Sequence, residues 1–358
     1  LLVVLKVFLH RAKSKQEALD RAIVQAAKTG QFAELPELLL QGASPNGRHF
    51  DEPDGSRKFP YHPPISYACE AGNVDAVNLL LDAGVNIKKD GLEGNLLLAA
   101  IENEDKQLFT LLLNRNADPN ATPHERVDMN VLGLVVDYSW RREWDTEKTL
   151  EYAELALKYG ADVNQHGMHG FTPLTQAVGE QMPEVVKLFL DNDGVIEEAD
   201  TSGKDSMDTA ASRSNSEIID LLVQYGGKYT IQEAVCIGRE DDVVEFLKAD
   251  PSVVKDSYIF GRSLLGLALK RGEAKIAKHL IDAGADFRKL DEEGNSLLHL
   301  AALGGNSEMV KLLIDRGLNV NGRNNSQNTP LHETTFSDRA AAAKVLIDAG
   351  ADVNARAS

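Results

Sequence analysis

The side chains whose types and spacing come nearest to chemistry are histidines. His166 and His169 stand three residues apart in Gln165-His-Gly-Met-His-Gly170 and could offer two imidazoles to a metal ion, with His124 as a third. No cysteine or carboxylate completes a recognisable ligand set around them, so solvated loop histidines are expected and no metal is assigned. Acidic clusters such as Glu102-Asn-Glu-Asp105, Asp191-Asn-Asp193 and Glu240-Asp-Asp242 fall at predicted helix ends and turns, where most are structural or solubilising. Phosphate-cradling glycine loops, a nucleophile elbow, a zinc-protease helix and a kinase signature are absent. With no matched acid, base and nucleophile, the chain is not expected to be an enzyme, and no catalytic residue or cofactor is assigned.

Recognition is the chemistry that is left. Both tryptophans lie in Tyr138-Ser-Trp-Arg-Arg-Glu-Trp144, and Trp140, Arg141, Arg142 and Trp144 are of the types that most often dominate interface energies. The same tryptophans could instead pack an extended helix pair against its neighbour, since large aromatics bury well. The 38 basic against 55 acidic side chains leave a net charge of −17, which opposes phosphate backbones and favours a basic protein partner over nucleic acid. Cys69 and Cys236 are far apart, each inside a predicted helix beside small apolar residues. They read as reduced core thiols, which points to an intracellular, most simply cytoplasmic, setting.

The elements that would hold these residues follow from a period. Gly284-Ala-Asp, Gly317-Leu-Asn-Val-Asn321 and Gly350-Ala-Asp-Val-Asn354 are spaced by 33 residues, and Gly160-Ala-Asp-Val-Asn164 belongs to the same series. Helix-opening segments recur as Thr329-Pro-Leu-His332, Ser296-Leu-Leu-His299, Thr172-Pro-Leu-Thr175 and Pro63-Pro-Ile-Ser66, where Thr or Ser can cap and Pro is pre-organised. A small residue recurs four positions before the first helix ends, as Ala26, Ala68, Ala100, Ala177, Ala210, Ala234, Ala268 and Ala301. Stacked helices approach closely only where the facing side chain is small. Gly30, Gly72, Gly238, Gly272 and Gly305 are expected to stop the first helix in a left-handed conformation. Gly42, Gly84, Gly160, Gly226, Gly284, Gly317 and Gly350 would stop the second, with Asn116 and Asp193 in the same slot.

In period and in the Thr-Pro-Leu-His signature the chain resembles the ankyrin-repeat family, over nearly its whole length from about residue 16. The resemblance implies an all-α ankyrin-repeat solenoid of about ten helix-turn-helix units joined by β-hairpin loops. It implies that His299 and His332, in the fourth place of the signature, bond backbone and tie adjacent units. It also implies a protein–protein interaction scaffold, expected to be monomeric, that binds its partner along a concave face of hairpins and first helices. The side chains offered there are the hairpin tips Asp90 and Leu92, then His166, Met168 and His169, then Thr201, Leu290 and Asp291, and finally Asn324 and Gln327. Phe50, Phe59 and Tyr61 of an inserted loop join them, with the Trp140, Arg141, Arg142 and Trp144 patch. The alternative is a targeting or regulatory module of a larger protein, whether enzyme, channel or secreted effector, cut at both ends.

Three departures from the period mark where individual function is expected. Gly42 to Gly84 is 42 residues, and the excess lies in the long charged hairpin 47–61. Asn116 to Gly160 is 44 residues, and the extra length is expected between the two helices of the fourth unit, near 138–148. Gly226 to Pro251 is only 25 residues, so the hairpin shrinks to Gly227-Lys-Tyr229 and Gly226–Thr230 becomes the expected hinge or subdomain boundary. The chain is thus divided into an apolar and basic segment 1–15, repeats one to six over 16–226, and repeats seven to ten over 227–358, whose polar cap is expected to lie beyond Ser358. The opening Leu1–Leu9, followed by His10, Arg11, Lys13 and Lys15, reads as a capping helix or as the remnant of a membrane anchor or signal peptide. By itself it is too short to span a bilayer.

Overall fold

The computed structural model describes residues 2–47, 62–88, 92–123, 129–256, 258–259, 262–335 and 339–357. Phe50, Phe59, Tyr61, Asp90 and His124 lie outside the described residues, as does the side chain of Met168. Two compact units divide the chain, Leu1–Ser206 and Met207–Ser358.

In the first unit helices follow one another in pairs joined by short turns. Leu2–Lys28 is followed by Leu35–Leu40, Pro64–Glu70 by Val74–Asp82, Leu92–Glu102 by Lys106–Asn114, Val131–Arg142 by Thr146–Lys158, and Pro173–Gly179 by Pro183–Leu190. Each first helix packs on the first helix of the next pair, and from Val74–Asp82 onward each second helix packs on the next second helix. The second unit repeats the scheme with Ile231–Ile237 and Glu240–Ala249, Leu264–Lys270 and Ala274–Asp282, then Leu297–Leu303 and Ser307–Asp315. Its last first-helix is reduced to a 3-10 turn, His332–Thr334, ahead of Ala340–Asp348. The fold is all-α; among the described residues the only strand pairing is the two-residue ladder of Tyr258–Ile259 with Arg262–Ser263.

The small-residue column is what lets the first helices approach. All eight alanines, from Ala26 to Ala301, are at most 3% exposed, and a larger side chain at any of them would have to displace a neighbouring helix. Five of the second helices begin at a side-chain cap. Asn73, Asp105, Asp145, Asn215 and Asn306 each accept the amide three residues on, which satisfies a donor the helix itself leaves unpaired.

Helices end in left-handed residues at the expected glycines and at Asn116 and Asp193. The same conformation is also taken by Glu104 (φ 55°), Gln181 (φ 59°) and Ser214 (φ 58°), each four residues after an alanine of the column. These three stop the first helix where other repeats carry glycine.

The insert around residue 140 is helical, not a loop between helices. It lengthens the pair itself, to 12 residues in Val131–Arg142 and 13 in Thr146–Lys158, against 7 and 8 in the pair that follows. At the start of the chain, the apolar run and the first repeat form one helix, Leu2–Lys28, with Asp20, Ile23, Ala26 and Ala27 buried. Among the described residues no helix is long and apolar enough to cross a membrane.

Candidate functional site

The hairpin tips are built by one short turn used four times. In the turn that begins at Asp291, the Asp291 amide donates to the Asn295 carbonyl (3.0 Å) and the Gly294 amide to the Asp291 carbonyl (3.0 Å). Asp200 and Asn324 begin turns with the same two bonds, as does Gly167. The fourth residue of each is left-handed: Gly170, Gly203, Gly294 and, in the last, Gln327 (φ 60°). This is the geometry of a three-residue hairpin loop closed by a bulge. Where an Asp or Asn opens the turn, its side chain also holds it from within. Asp291 Oδ1 accepts from the amides of Glu293 and Asn295, Asn324 Oδ1 from those of Ser326 and Asn328, and Asp200 Oδ1 from those of Ser202 and Lys204, all at 2.7–3.0 Å.

Two residues expected to face a partner are therefore committed to the turn. The Asp291 side chain is only 3% exposed, with Arg262 Nε at 3.2 Å from its second oxygen. Asn324 is 8% exposed and donates to Asn295 Oδ1 (2.8 Å), joining two successive tips. The Asn325 amide extends that junction by donating to the Glu293 carbonyl (3.0 Å). Leu290 (55% exposed) and Gln327 remain outward.

Beside these tips is a cleft of about 230 Å³ lined by Glu293, Asn295, His299, Leu300, Leu303, Asn324, Ser326, Asn328 and Glu333. His299 takes the linking role that the signature implied. Its Nδ1 faces the Ser296 hydroxyl (2.8 Å) and amide (3.2 Å), so the proton sits on Nε2, which donates to the Asn328 carbonyl of the next repeat (3.1 Å). Burial holds this imidazole below its ordinary pKa, outweighing the carboxylates around it. His332 repeats the capping half, with Nδ1 at 2.9 Å from the Thr329 hydroxyl.

In the first unit the tip at residues 166–170 meets the next one. The Thr201 amide donates to the His169 carbonyl (2.9 Å), His166 Nδ1 lies at 3.0 Å from the Gly170 carbonyl, and its Nε2 lies at 3.2 Å from Glu198. The side chains of His169 and Thr201 are exposed. Leu92 is not an exposed tip; it is 7% exposed and opens the helix Leu92–Glu102, which is buried with it from Leu96 to Ile101. Among the described residues no group of three His, Cys, Asp or Glu is placed to hold a metal ion.

The two tryptophans part company. Trp144 is 9% exposed and packs tilted against Tyr152, ring centroids 5.1 Å apart, which in turn meets Phe109 at 5.2 Å. Its indole N–H donates to Glu104 (3.1 Å), and Lys148, ion-paired to the same carboxylate, lies 4.8 Å above its ring. Those contacts, the Lys148 bond foremost, hold the Glu104 carboxyl below the usual range. Trp144 is thus packing between repeats, while Trp140 stays 63% exposed at the end of its helix, with Arg141 paired to Asp137 (2.9 Å) and Arg142 in solvent. The cysteines are buried and free, and burial raises the Cys236 thiol to about 12.

Sequence reasoning missed Arg262, Glu293, Asn295, Asn328 and Glu333. The period held a signal for three of them, since Arg262, Asn295 and Asn328 are each 33 residues apart.

The family model described as Ankyrin repeats (3 copies) matches residues 14–123, 146–233, 231–323 and 265–357. Over 121 residues the chain is 36% identical to the ankyrin repeat, SAM and basic leucine zipper domain-containing protein 1 of Ornithorhynchus anatinus, covering 32% of this chain and 23% of that one. It is 29% identical over 216 residues to the ankyrin repeat and KH domain-containing protein CBG24701 of Caenorhabditis briggsae, covering 59% of this chain and 7% of the relative. The human ASB11 ankyrin repeat domain is 16% identical, with a TM-score of 0.33 over 63% of this chain and 86% of its own. The chain spans under a quarter of the length of either curated relative.

Proposed function

The chain belongs to the ankyrin-repeat family, and from that premise we propose that it is a protein–protein interaction scaffold whose partner docks on the hairpin tips and the adjoining first helices. One observation carries this reading. The tips are locked by their own side chains and bonded to one another, so outward residues such as Leu290 are presented at fixed positions without further ordering. The net charge of −17 favours a basic partner and faster encounter with it. Affinity capture on the full chain, compared between wild type and a Leu290→Ser/Trp140→Ala variant, tests the reading. A partner retained by the wild type and lost by the variant supports it; equal retention places the contact surface elsewhere.

A second reading makes the repeats a targeting or regulatory module of a larger protein. It draws support from the two relatives, whose names join ankyrin repeats to SAM, basic leucine zipper or KH domains and which the chain covers only in part. Sequencing the complete transcript decides it: further domains in frame support the module, and flanking start and stop codons exclude it.

A further inference from the structure

The cleft of about 230 Å³ beside the last two described tips has a mixed chemistry. Leu300 and Leu303 give it an apolar part, and the side chains of Asn295, Asn324 and Asn328 give it amides. Among its described lining residues there are two carboxylates, Glu293 and Glu333, and no lysine or arginine. Outside the lining, Arg262 reaches Glu293 Oε1 (2.9 Å) but is shared with the buried Asp291 (3.2 Å), and Arg339 donates to the Glu333 backbone carbonyl (3.1 Å), so that these two arginines face the three carboxylates Glu293, Glu333 and Asp291. Glu333 Oε1 accepts from Asn328 Nδ2 (3.3 Å). His299, 2% exposed and kept below its ordinary pKa, brings no charge at neutral pH. Negative charge is therefore in surplus, and the field of the whole chain has the same sign.

We infer, on the interaction-scaffold reading, that this cleft receives an arginine side chain from an extended basic segment of the partner. The methylenes would lie along Leu300 and Leu303, as long cationic side chains do on apolar surface. The guanidinium would meet Glu293 and Glu333, two planar acceptor groups suited to its fork of donors in a way that a point-like ammonium is not. The walls are already in place, because the Asn324 to Asn295 bond and the Asn325 to Glu293 bond join the two tips before any ligand arrives.

The test is an NMR titration of the full chain, isotope-labelled, with three short capped peptides: acetyl-Gly-Arg-Gly-amide, the same peptide with citrulline for arginine, and the same with glutamate. The arginine peptide is expected to shift the side-chain amides of Asn295, Asn324 and Asn328 saturably. The neutral isostere citrulline should bind roughly tenfold more weakly, as should the arginine peptide to a Glu293→Gln/Glu333→Gln variant, the loss expected for a charge-assisted hydrogen bond. Unchanged resonances elsewhere in that variant report an intact fold. Equal binding of the arginine and citrulline peptides, binding of the glutamate peptide, or shifts confined to other surfaces overturns the inference. A natural partner that binds the wild type and the double variant equally would overturn the arginine pocket and leave the scaffold reading standing. Absence of any specific partner would count against the scaffold instead.

Discussion

Asn324 donates its side-chain amide to Asn295 Oδ1 at 2.8 Å, and both residues are buried, at 8% and 7% exposure. One hydrogen bond thus joins two hairpin tips, while Asn324 Oδ1 holds the amides of Ser326 and Asn328 within its own turn. Replacement by alanine leaves three buried or half-buried polar groups without their partner. Asn324→Ala is expected to cost about 2 kcal/mol, with Asn324→Asp milder because it keeps the acceptor. Urea unfolding of the three proteins measures it, and a cost within about 0.5 kcal/mol of zero, the range of ordinary surface changes, would remove this bond from the account.

The turn also makes opposite predictions for two equivalent positions. Gly294 (φ 75°) and Gln327 (φ 60°) occupy the same left-handed place one period apart. Gln327→Gly should stabilise by up to about 1 kcal/mol, since a β-carbon is penalised in that conformation. Gly294→Ala should destabilise by roughly 1–2 kcal/mol on the same ground, and its new β-carbon would lie 2.5 Å from Asn325 Oδ1. Thermal melts of both variants decide the point, and shifts of the same sign would be inconsistent with the shared geometry.

The tryptophans separate stability from binding. Trp144→Ala removes a buried ring from its contact with Tyr152 and leaves Glu104 without its indole donor. It should cost about 3–5 kcal/mol. Trp140→Ala, on a side chain 63% exposed, should leave stability within about 0.5 kcal/mol of wild type. Chemical denaturation distinguishes them; a comparable loss from Trp140→Ala would place that ring in the packing as well.

The pH dependence follows from His299. Its imidazole is neutral in the fold because burial lowers its pKa from 6.5, whereas in the unfolded chain it titrates near that value. Below pH 6.5 the unfolded state therefore binds more protons than the folded one. Stability is full above 6.5 and falls as pH drops from there toward the lowered folded value, where it levels off. The carboxylates held low by their partners, such as Glu104 and Asp200, weaken the fold only below the ordinary carboxylate range of 3.8–4.5. Between pH 8 and 5 the melting temperature of the wild type should fall below pH 6.5, and that of His299→Gln should fall less; identical slopes would contradict this role.

What the period carried was backbone architecture. The alanine column and most of the glycine stops could be read because each demands a particular small residue at a fixed place in the period, whereas the Asn and Asp caps of the second helices were not read. Glu104, Gln181 and Ser214 were not visible as stops, since residue type does not signal their left-handed backbone, which is closed by bonds back to their own helices such as Asp105 N–H to the Ala100 carbonyl (2.9 Å). The candidate surface was harder. Asp291 and Asn324 look like solvated tip residues until the amides they accept are seen, and Trp140 and Trp144 are chemically equivalent until Tyr152 claims one of them. Leu92 was read as a tip by its position after Asp90, but it is an apolar helix opener. Side-chain direction, and not composition, separates contact residues from structural ones.

The central claim, that the locked tips of this ankyrin-repeat chain present a surface for a basic protein partner, is tested most directly by the salt dependence of affinity for a partner captured on the full chain. The expected result is a protein with a basic segment, bound at low ionic strength, weakened steeply as salt rises and weakened again by Leu290→Ser. An acidic partner indifferent to salt, or no protein retained above the bare matrix, would contradict it.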